Sequence, residues 1–163
     1  MQKITTCLWF DGNAEEAMNF YVSVFKDSKV VDVTRWGEGG PGAPGTVLTG
    51  VFEIAGQEFM VLNGGPQFKF TEAISLSVSC EDQREVDYYW NTLTAGGGEE
   101  SMCGWLKDRY GLSWQIVPKV LPELLNDPDP EKSQRATQAL LQMKKLDIAE
   151  LQRAAAGSQP VGR

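Results

Sequence analysis

The stretch CGWLKDRYGLSWQIVP, residues 103–118, decides the fold. Asp108 and Gly111 sit at the first and fourth positions of a turn. That pattern predicts a type I turn followed by a left-handed glycine, the three-residue hairpin loop with a bulge. The register then pairs Lys107 with Ser113, Trp105 with Gln115 and Cys103 with Val117. Cross-strand partners share a face. Trp114 and Ile116 therefore point toward covering helices, and Trp105 and Gln115 point away from them. A similar unit, FEIAGQEFMVLNGG at residues 52–65, carries Met60 where the later hairpin carries Gln115.

The hairpins belong to a larger repeat. In TTCLWFDGNAEEAMNFYVSVF (residues 5–25) an apolar strand gives way to helical spacing, with Ala14, Ala17, Met18, Tyr21, Val22 and Phe25 on one face. Asn13 is placed to cap this helix, with Glu16 answering it three residues on. SLSVSCEDQREVDYYWNTL (residues 75–93) repeats the plan, with Asp82 as cap, Glu85 as partner and Val86, Tyr89, Trp90 and Leu93 as the face. An offset of 69 carries Asn13 to Asp82 and Tyr21 to Trp90, and an offset of 55 carries Gly56 to Gly111 and Met60 to Gln115. Further strands are expected near 29–36, 46–54 and 57–63, and near 98–103, 104–108 and 112–117.

Each half is thus β-α-β-β-β. A sheet with one helix covers one face and leaves the other bare. Two copies resolve this by curling their bare faces toward each other. The expectation is an α+β fold: two βαβββ modules with curved mixed sheets enclosing a cleft, plus a C-terminal helical tail. Residues 1–118 form one domain from modules of about 1–66 and 67–118, and 119–156 form a helical tail packed on the domain or on a partner subunit. Residues 157–163 are expected to be disordered. In the tail, Asp129 before Pro130 marks a helix start, and Ala136, Ala139, Leu140, Met143 and Leu146 form an apolar stripe. By the hairpin reasoning, Met60, Glu58, Leu62, Phe52, Gly50 and Leu48 face the cleft from the first half.

Composition narrows the function classes. The net charge of −7 repels a phosphate backbone and excludes nucleic acid as a partner. No window holds enough uninterrupted apolar residues to span a membrane, and the start lacks a positively charged leader. Cys7, Cys80 and Cys103 lack framework spacing and suit reduced thiols, so a cytoplasmic location is expected. The sequence contains no histidine, which removes the commonest metal ligand and the commonest general base together.

The strand-helix units FDGNAEEAMNFYVSVF and AISLSVSCEDQREVDYYW, with the closing hairpin KDRYGLSWQIV, resemble the vicinal oxygen chelate superfamily. That superfamily includes glyoxalase I, bleomycin-resistance proteins and extradiol dioxygenases. NAEEAMNFY and CGWLKDRYGLSWQIVP are most similar to its PhnB-like branch, often labelled demethylubiquinone methyltransferase-like. The resemblance spans about residues 2–157. It implies that metal-using members take one ligand, usually His or Glu, from the first and last strand of each half. Carried over, those slots fall near Thr6, Met60, Ala73 and Gln115. Slipped registers give Ile4 or Leu8, Glu58 or Leu62, Ser75 or Ser77, and Ser113 or Val117. Only Glu58 is a strong ligand in any register, and one carboxylate does not hold a catalytic divalent ion. No metal and no cofactor is expected.

The remaining candidates each have a structural reading beside the functional one. GEGGPGAPG, residues 37–45, contains a literal G-x-G-x-x-G, but a strand follows it rather than a helix. It reads as a strand connection or a flap over the cleft, not a nucleotide site. Cys103 is a nucleophile without a histidine, or a structural thiol. Glu58 is a general base in an apolar cleft, or a solvated carboxylate at a strand start. Lys107 holds an anionic ligand or makes a rim salt bridge, and Trp105 walls the pocket. The expected ligand-binding set is Thr6, Phe52, Met60, Ala73, Cys103, Trp105, Lys107 and Gln115. The leading reading is a metal-independent, homodimeric protein that binds an unidentified small molecule. An isomerase- or lyase-type enzyme with Glu58 as base, and the methyltransferase of the family label, stay open beside it.

Overall fold

The computed structural model describes residues 2–157. The expectation of disorder at 157–163 falls, from residue 158 onward, outside them. The chain divides into two compact units between Phe70 and Thr71. The first contains β1 (Thr6–Phe10), α1 (Ala14–Val24), β2 (Lys29–Arg35), β3 (Val47–Ile54) and β4 (Gln57–Asn63), with sheet order β1-β4-β3-β2. The second contains β5 (Ser75–Cys80), α2 (Gln83–Thr94), β6 (Glu99–Glu100), β7 (Trp105–Lys107) and β8 (Ser113–Pro118), with order β5-β8-β7-β6. Helices α3 (Val120–Leu125), α4 (Pro130–Leu140) and α5 (Ile148–Ala156) follow. Both sheets are mixed, since β1 runs parallel to β4 and β5 parallel to β8 while the hairpins are antiparallel. The fold is α+β with two βαβββ modules and a helical tail.

In the first module α1 lays Ala17, Met18 and Tyr21 on the sheet. Tyr21 stacks on Phe52 at 6.1 Å between ring centroids, and Phe52 on Phe59 at 5.6 Å. Gly50 makes room for the helix, because a Cβ there would stand 2.8 Å from the Met18 sulfur. Helix capping differs from the sequence expectation. Asn13 precedes the helix but its side chain makes no cap bond. Asn63 of β4 does that work, accepting from the Ala14 N–H at 3.0 Å and donating to the Val47 carbonyl at 2.9 Å. One side chain thus ties α1 to two strands. In the second module Asp82 caps α2 by accepting from Glu85 N–H at 3.0 Å, as expected, and Glu85 accepts from Glu81 N–H at 3.2 Å.

The closing hairpin has the expected register, with Trp105 opposite Gln115, Leu106 opposite Trp114 and Lys107 opposite Ser113. Asp108 is 2% exposed and fully committed at this turn. One oxygen accepts from Tyr110 N–H at 2.8 Å and Leu112 N–H at 3.1 Å, and the other accepts from the Trp114 indole at 2.9 Å. Trp114, Ile116 and Leu106 are buried together with Val86, Trp90 and Leu93 of α2. Two expected pieces are absent. The 98–103 strand shrinks to the two residues of β6, and Cys103 lies in a turn with φ 61° rather than opposite Val117.

The tail breaks where one continuous helix stripe was expected. Asp129 and Asp147 each cap a separate helix, and residues 141–147 connect them. Leu121, Leu146 and Leu151 form a core with Val117, Leu140 and Met143 around it. The tail is tied to its own module. Gln83 donates to the Leu146 carbonyl at 3.0 Å and accepts from Ile148 N–H at 2.8 Å. The amides of Cys103 and Gly104 donate to Met143 and Lys144 at 2.7 and 2.8 Å. Among the described residues no helix is long and apolar enough to cross a membrane.

Trp114 is 1% exposed, whereas Trp105 is half-buried on the other face. Replacing Trp114 by Ala is expected to cost about 3–5 kcal/mol of unfolding free energy. Trp105→Ala is expected to cost about 1 kcal/mol, the ordinary value for a partly solvated site. Urea unfolding of both variants checks this; a loss at Trp105 as large as that at Trp114 would contradict the face assignment.

Candidate functional site

The faces turned away from α1 and α2 carry the candidate residues. In the first module this open face is set by a two-residue loop, Ala55–Gly56, with φ of 49° and 82°. Two positive φ values mark the tight type I′ hairpin, one residue shorter than the loop at Asp108. The shorter loop reverses the parity of β3 relative to β4. Met60 pairs with Val51, Leu62 with Thr49 and Glu58 with Glu53, while Phe52 pairs with Phe59 beneath α1. Phe52, expected on the cleft face, is therefore in the helix-side core at 0% exposed, and Gly50 is on that side too.

The first strand needs the same correction. Thr6 pairs with Phe59 and shares the helix-side register, although it is itself exposed at the strand start. Cys7 pairs with Met60 and Trp9 with Leu62, so Cys7 and Trp9 hold the open-face positions. Trp9 also closes one end of this face. Its indole donates to the Gly65 carbonyl at 2.9 Å, its ring meets Phe68 edge-on at 4.9 Å, and it lies so close over Gly64 that a Cβ would approach to 2.3 Å. Glu58 is half-buried, with its backbone bridged by the Gln2 side chain.

In the second module the open face carries Ser75, Ser77, Gln115, Trp105, Lys107 and Ser113. Ala73 lies in the turn before β5, so the slot assigned to it belongs to Ser75 or Ser77. Gln115 donates from Nε2 to Ser75 Oγ at 2.9 Å. Lys107 is ion-paired with Glu72, and that pairing holds the Glu72 carboxyl below and the Lys107 ammonium above their ordinary ranges. Cys103, with its backbone held by the tail, stands outside the sheet.

Sequence reasoning offered Ser113 only as a slipped-register alternative to Gln115 and left it out of the ligand-binding set. It is 1% exposed, and its hydroxyl has no hydrogen-bond partner among the described residues. It lines a cavity of about 190 Å³ with Glu72, Glu99, Glu100, Trp105 and Lys107. The signal for it was its pairing with Lys107, which was legible, but its isolation is a tertiary property.

The open-face donors of Cys7, Met60, Gln115 and Ser75 or Ser77 are a thiol, a thioether, an amide and a hydroxyl. These do not fit a hard divalent ion, which asks for carboxylates or imidazoles. Among the described residues no group of three or more His, Cys, Asp or Glu side chains converges on a point. The glycine-rich segment is also accounted for locally. It folds back over Trp36, whose ring would stand 2.2 Å from a Cβ at Gly42, and it leads into β3.

The family model for 3-demethylubiquinone-9 3-methyltransferase matches residues 2–117. The PhnB protein from Bacillus cereus is 44% identical, with 72% of this chain and 99% of that chain covered and a TM-score of 0.67. A protein of Pseudomonas aeruginosa is 19% identical, covering 72% and 98% at a TM-score of 0.60. The fosfomycin resistance protein FosX from Listeria monocytogenes, complexed with Mn(II) and sulfate, is 15% identical, covering 77% and 97% at a TM-score of 0.53. The last two likenesses concern the fold alone. None of the curated proteins matches.

Burial and the charges of Glu85 and Asp82 push the Cys80 thiol from an ordinary 9.0 up to about 12. The neutral thiol is thus the form the fold favours, and its contribution is lost as pH rises from 9.0 to about 12. At pH 8 iodoacetamide is expected to modify Cys7, which is exposed, and to spare Cys80 until the protein is denatured. Peptide mapping checks this, and rapid Cys80 labelling in the folded protein would contradict the packing of β5 against α2.

Proposed function

The chain belongs to the 3-demethylubiquinone-9 3-methyltransferase family, a PhnB-like branch of the vicinal oxygen chelate superfamily, and we propose that it binds a small organic molecule without a divalent metal. The observation that carries this reading is the Gln115–Ser75 hydrogen bond beside Trp105. At a strand position where the resemblance implies His or Glu in metal-using members, this chain offers a neutral amide already bonded to a hydroxyl. A half-buried amide next to an indole face is the kind of sparse polar group that orients a ligand in an otherwise apolar pocket. Cys7 and Met60, paired on the first module's open face, add polarizable sulfur but no hard ligand.

A second reading, proton transfer with Glu58 as base, is favoured by one observation. Glu58 stands on the same open-face row as Met60 and Leu62. Methyl transfer, named in the family's description, draws no support from the glycine-rich segment, which leads into a strand and offers no helix N-terminus to a nucleotide-bearing donor. A homodimer is part of the proposal. It is supported by the unpaired outer edge of β2, where Val30 and Val31 are 38% and 47% exposed. Light scattering at micromolar concentration is expected to give twice the chain mass, and a monomeric mass would remove the dimer from the reading.

Native mass spectrometry of the purified protein is expected to show an organic adduct that Gln115→Leu loses. Titration with Mn²⁺, Zn²⁺, Ni²⁺ or Fe²⁺ is expected to leave the melting temperature unchanged, whereas a tight site raises it with the logarithm of metal concentration. About one ion per chain by elemental analysis, with such a rise, would overturn the metal-free reading.

A further inference from the structure

We propose that the cavity at the β6–β7 edge of the second module binds a small organic cation bearing a primary ammonium group. The inference rests on the reading that this module's open face takes a small molecule, and it adds the charge class. The cavity of about 190 Å³ is lined by Glu72, Glu99, Glu100, Trp105, Lys107 and Ser113. Lys107, for which an anionic ligand and a rim salt bridge were both open, makes the salt bridge, with Glu72. Glu72 and Lys107 offset each other, which leaves Glu99 as the uncompensated carboxylate on the open face of this wall. Glu99 lies opposite Lys107 in the β6–β7 ladder, so it stands on the same face as Trp105 and Ser113. Glu100 is anchored by the Trp90 indole, which donates to it at 2.8 Å.

The second, independent observation is Ser113. Its hydroxyl is buried in the cavity wall, 1% of the residue is exposed, and no described residue bonds to it. A buried hydroxyl without a partner is costly, and a ligand N–H donating to Oγ supplies the partner. The acidic groups do not converge as a metal site does, since no cluster of three metal-ligating side chains occurs among the described residues. Glu72 and Glu99 border a space beside Ser113 instead, which suits an extended cation rather than a point ion. Trp105 contributes an indole to the wall, and indole is the best aromatic surface for an ammonium group.

The probe is n-butylammonium, with n-butanol and butyrate as neutral and anionic controls. Binding is read by the ¹⁵N indole shift of Trp105 and by calorimetry. A ligand of this size is expected to bind with roughly millimolar affinity. Binding is expected to weaken about fivefold or more in Ser113→Ala and Glu99→Gln and to weaken with added salt. Ser113→Ala deletes an unpartnered hydroxyl and is expected to fold normally, which its melting temperature confirms. Equal binding of butyrate or butanol, unchanged affinity in Ser113→Ala, or no response to butylammonium would each overturn the proposal. An organic adduct dependent on Gln115, alongside no response to butylammonium, would overturn this inference and leave the binding function standing.

Discussion

The second module depends on one buried carboxylate. Asp108 takes two backbone amides and the Trp114 indole at once. A charged acceptor removed from water is tolerated only when its lone pairs are used, and here three donors use them. The amides fix the loop as a bulged turn, and the indole pins the following strand to that turn. The register that results places Trp114, Leu106 and Ile116 beneath α2. It leaves Trp105, Gln115, Lys107 and Ser113 on the open face. The same constraint therefore holds the core together and presents the candidate site.

The two modules use one plan with different local chemistry. The first closes its hairpin with a tight two-residue turn and ties its helix down from a strand, through Asn63. The second closes with the Asp108 turn and adds the tail as a buttress behind Cys103 and Gly104. Both leave a sheet face free of helix. On each, the central open-face positions hold neutral or soft side chains, Cys7 and Met60 on one and Ser77 and Gln115 on the other. The acidic groups stand instead at the β6–β7 edge, near an orphaned hydroxyl. The fold is conserved in plan while the polar chemistry sits elsewhere on it.

Much of this was legible in the sequence because its signals are local. The Asp108–Gly111 spacing specified a turn, the turn specified a register, and the register sorted Trp105 from Trp114. Asp82 with Glu85, and Asp129 before Pro130, worked for the same reason. What failed was non-local or hung on one residue of loop length. Ala55–Gly56 lacks the Asn-Gly or Asp-Gly signature of a two-residue loop, so the local pattern points to the longer kind and puts Phe52 on the wrong face. Thr6 and Ala73 were misplaced by strand starts, which sequence marks poorly. Asn63 caps a helix 49 residues away, and no local pattern announces that. The isolation of Ser113 emerges only once β6, β7 and β8 are side by side.

The face assignment of the second module is the claim on which the rest turns, and indole hydrogen exchange reads it directly. With the five tryptophan resonances assigned by single Trp→Phe variants, the Nε1–H groups of Trp114 and Trp90 are expected to exchange slowly, as buried donors to Asp108 and Glu100. The Nε1–H of Trp105, on the half-buried open face, is expected to exchange far faster than either. A Trp105 indole as protected as that of Trp114 would contradict the account.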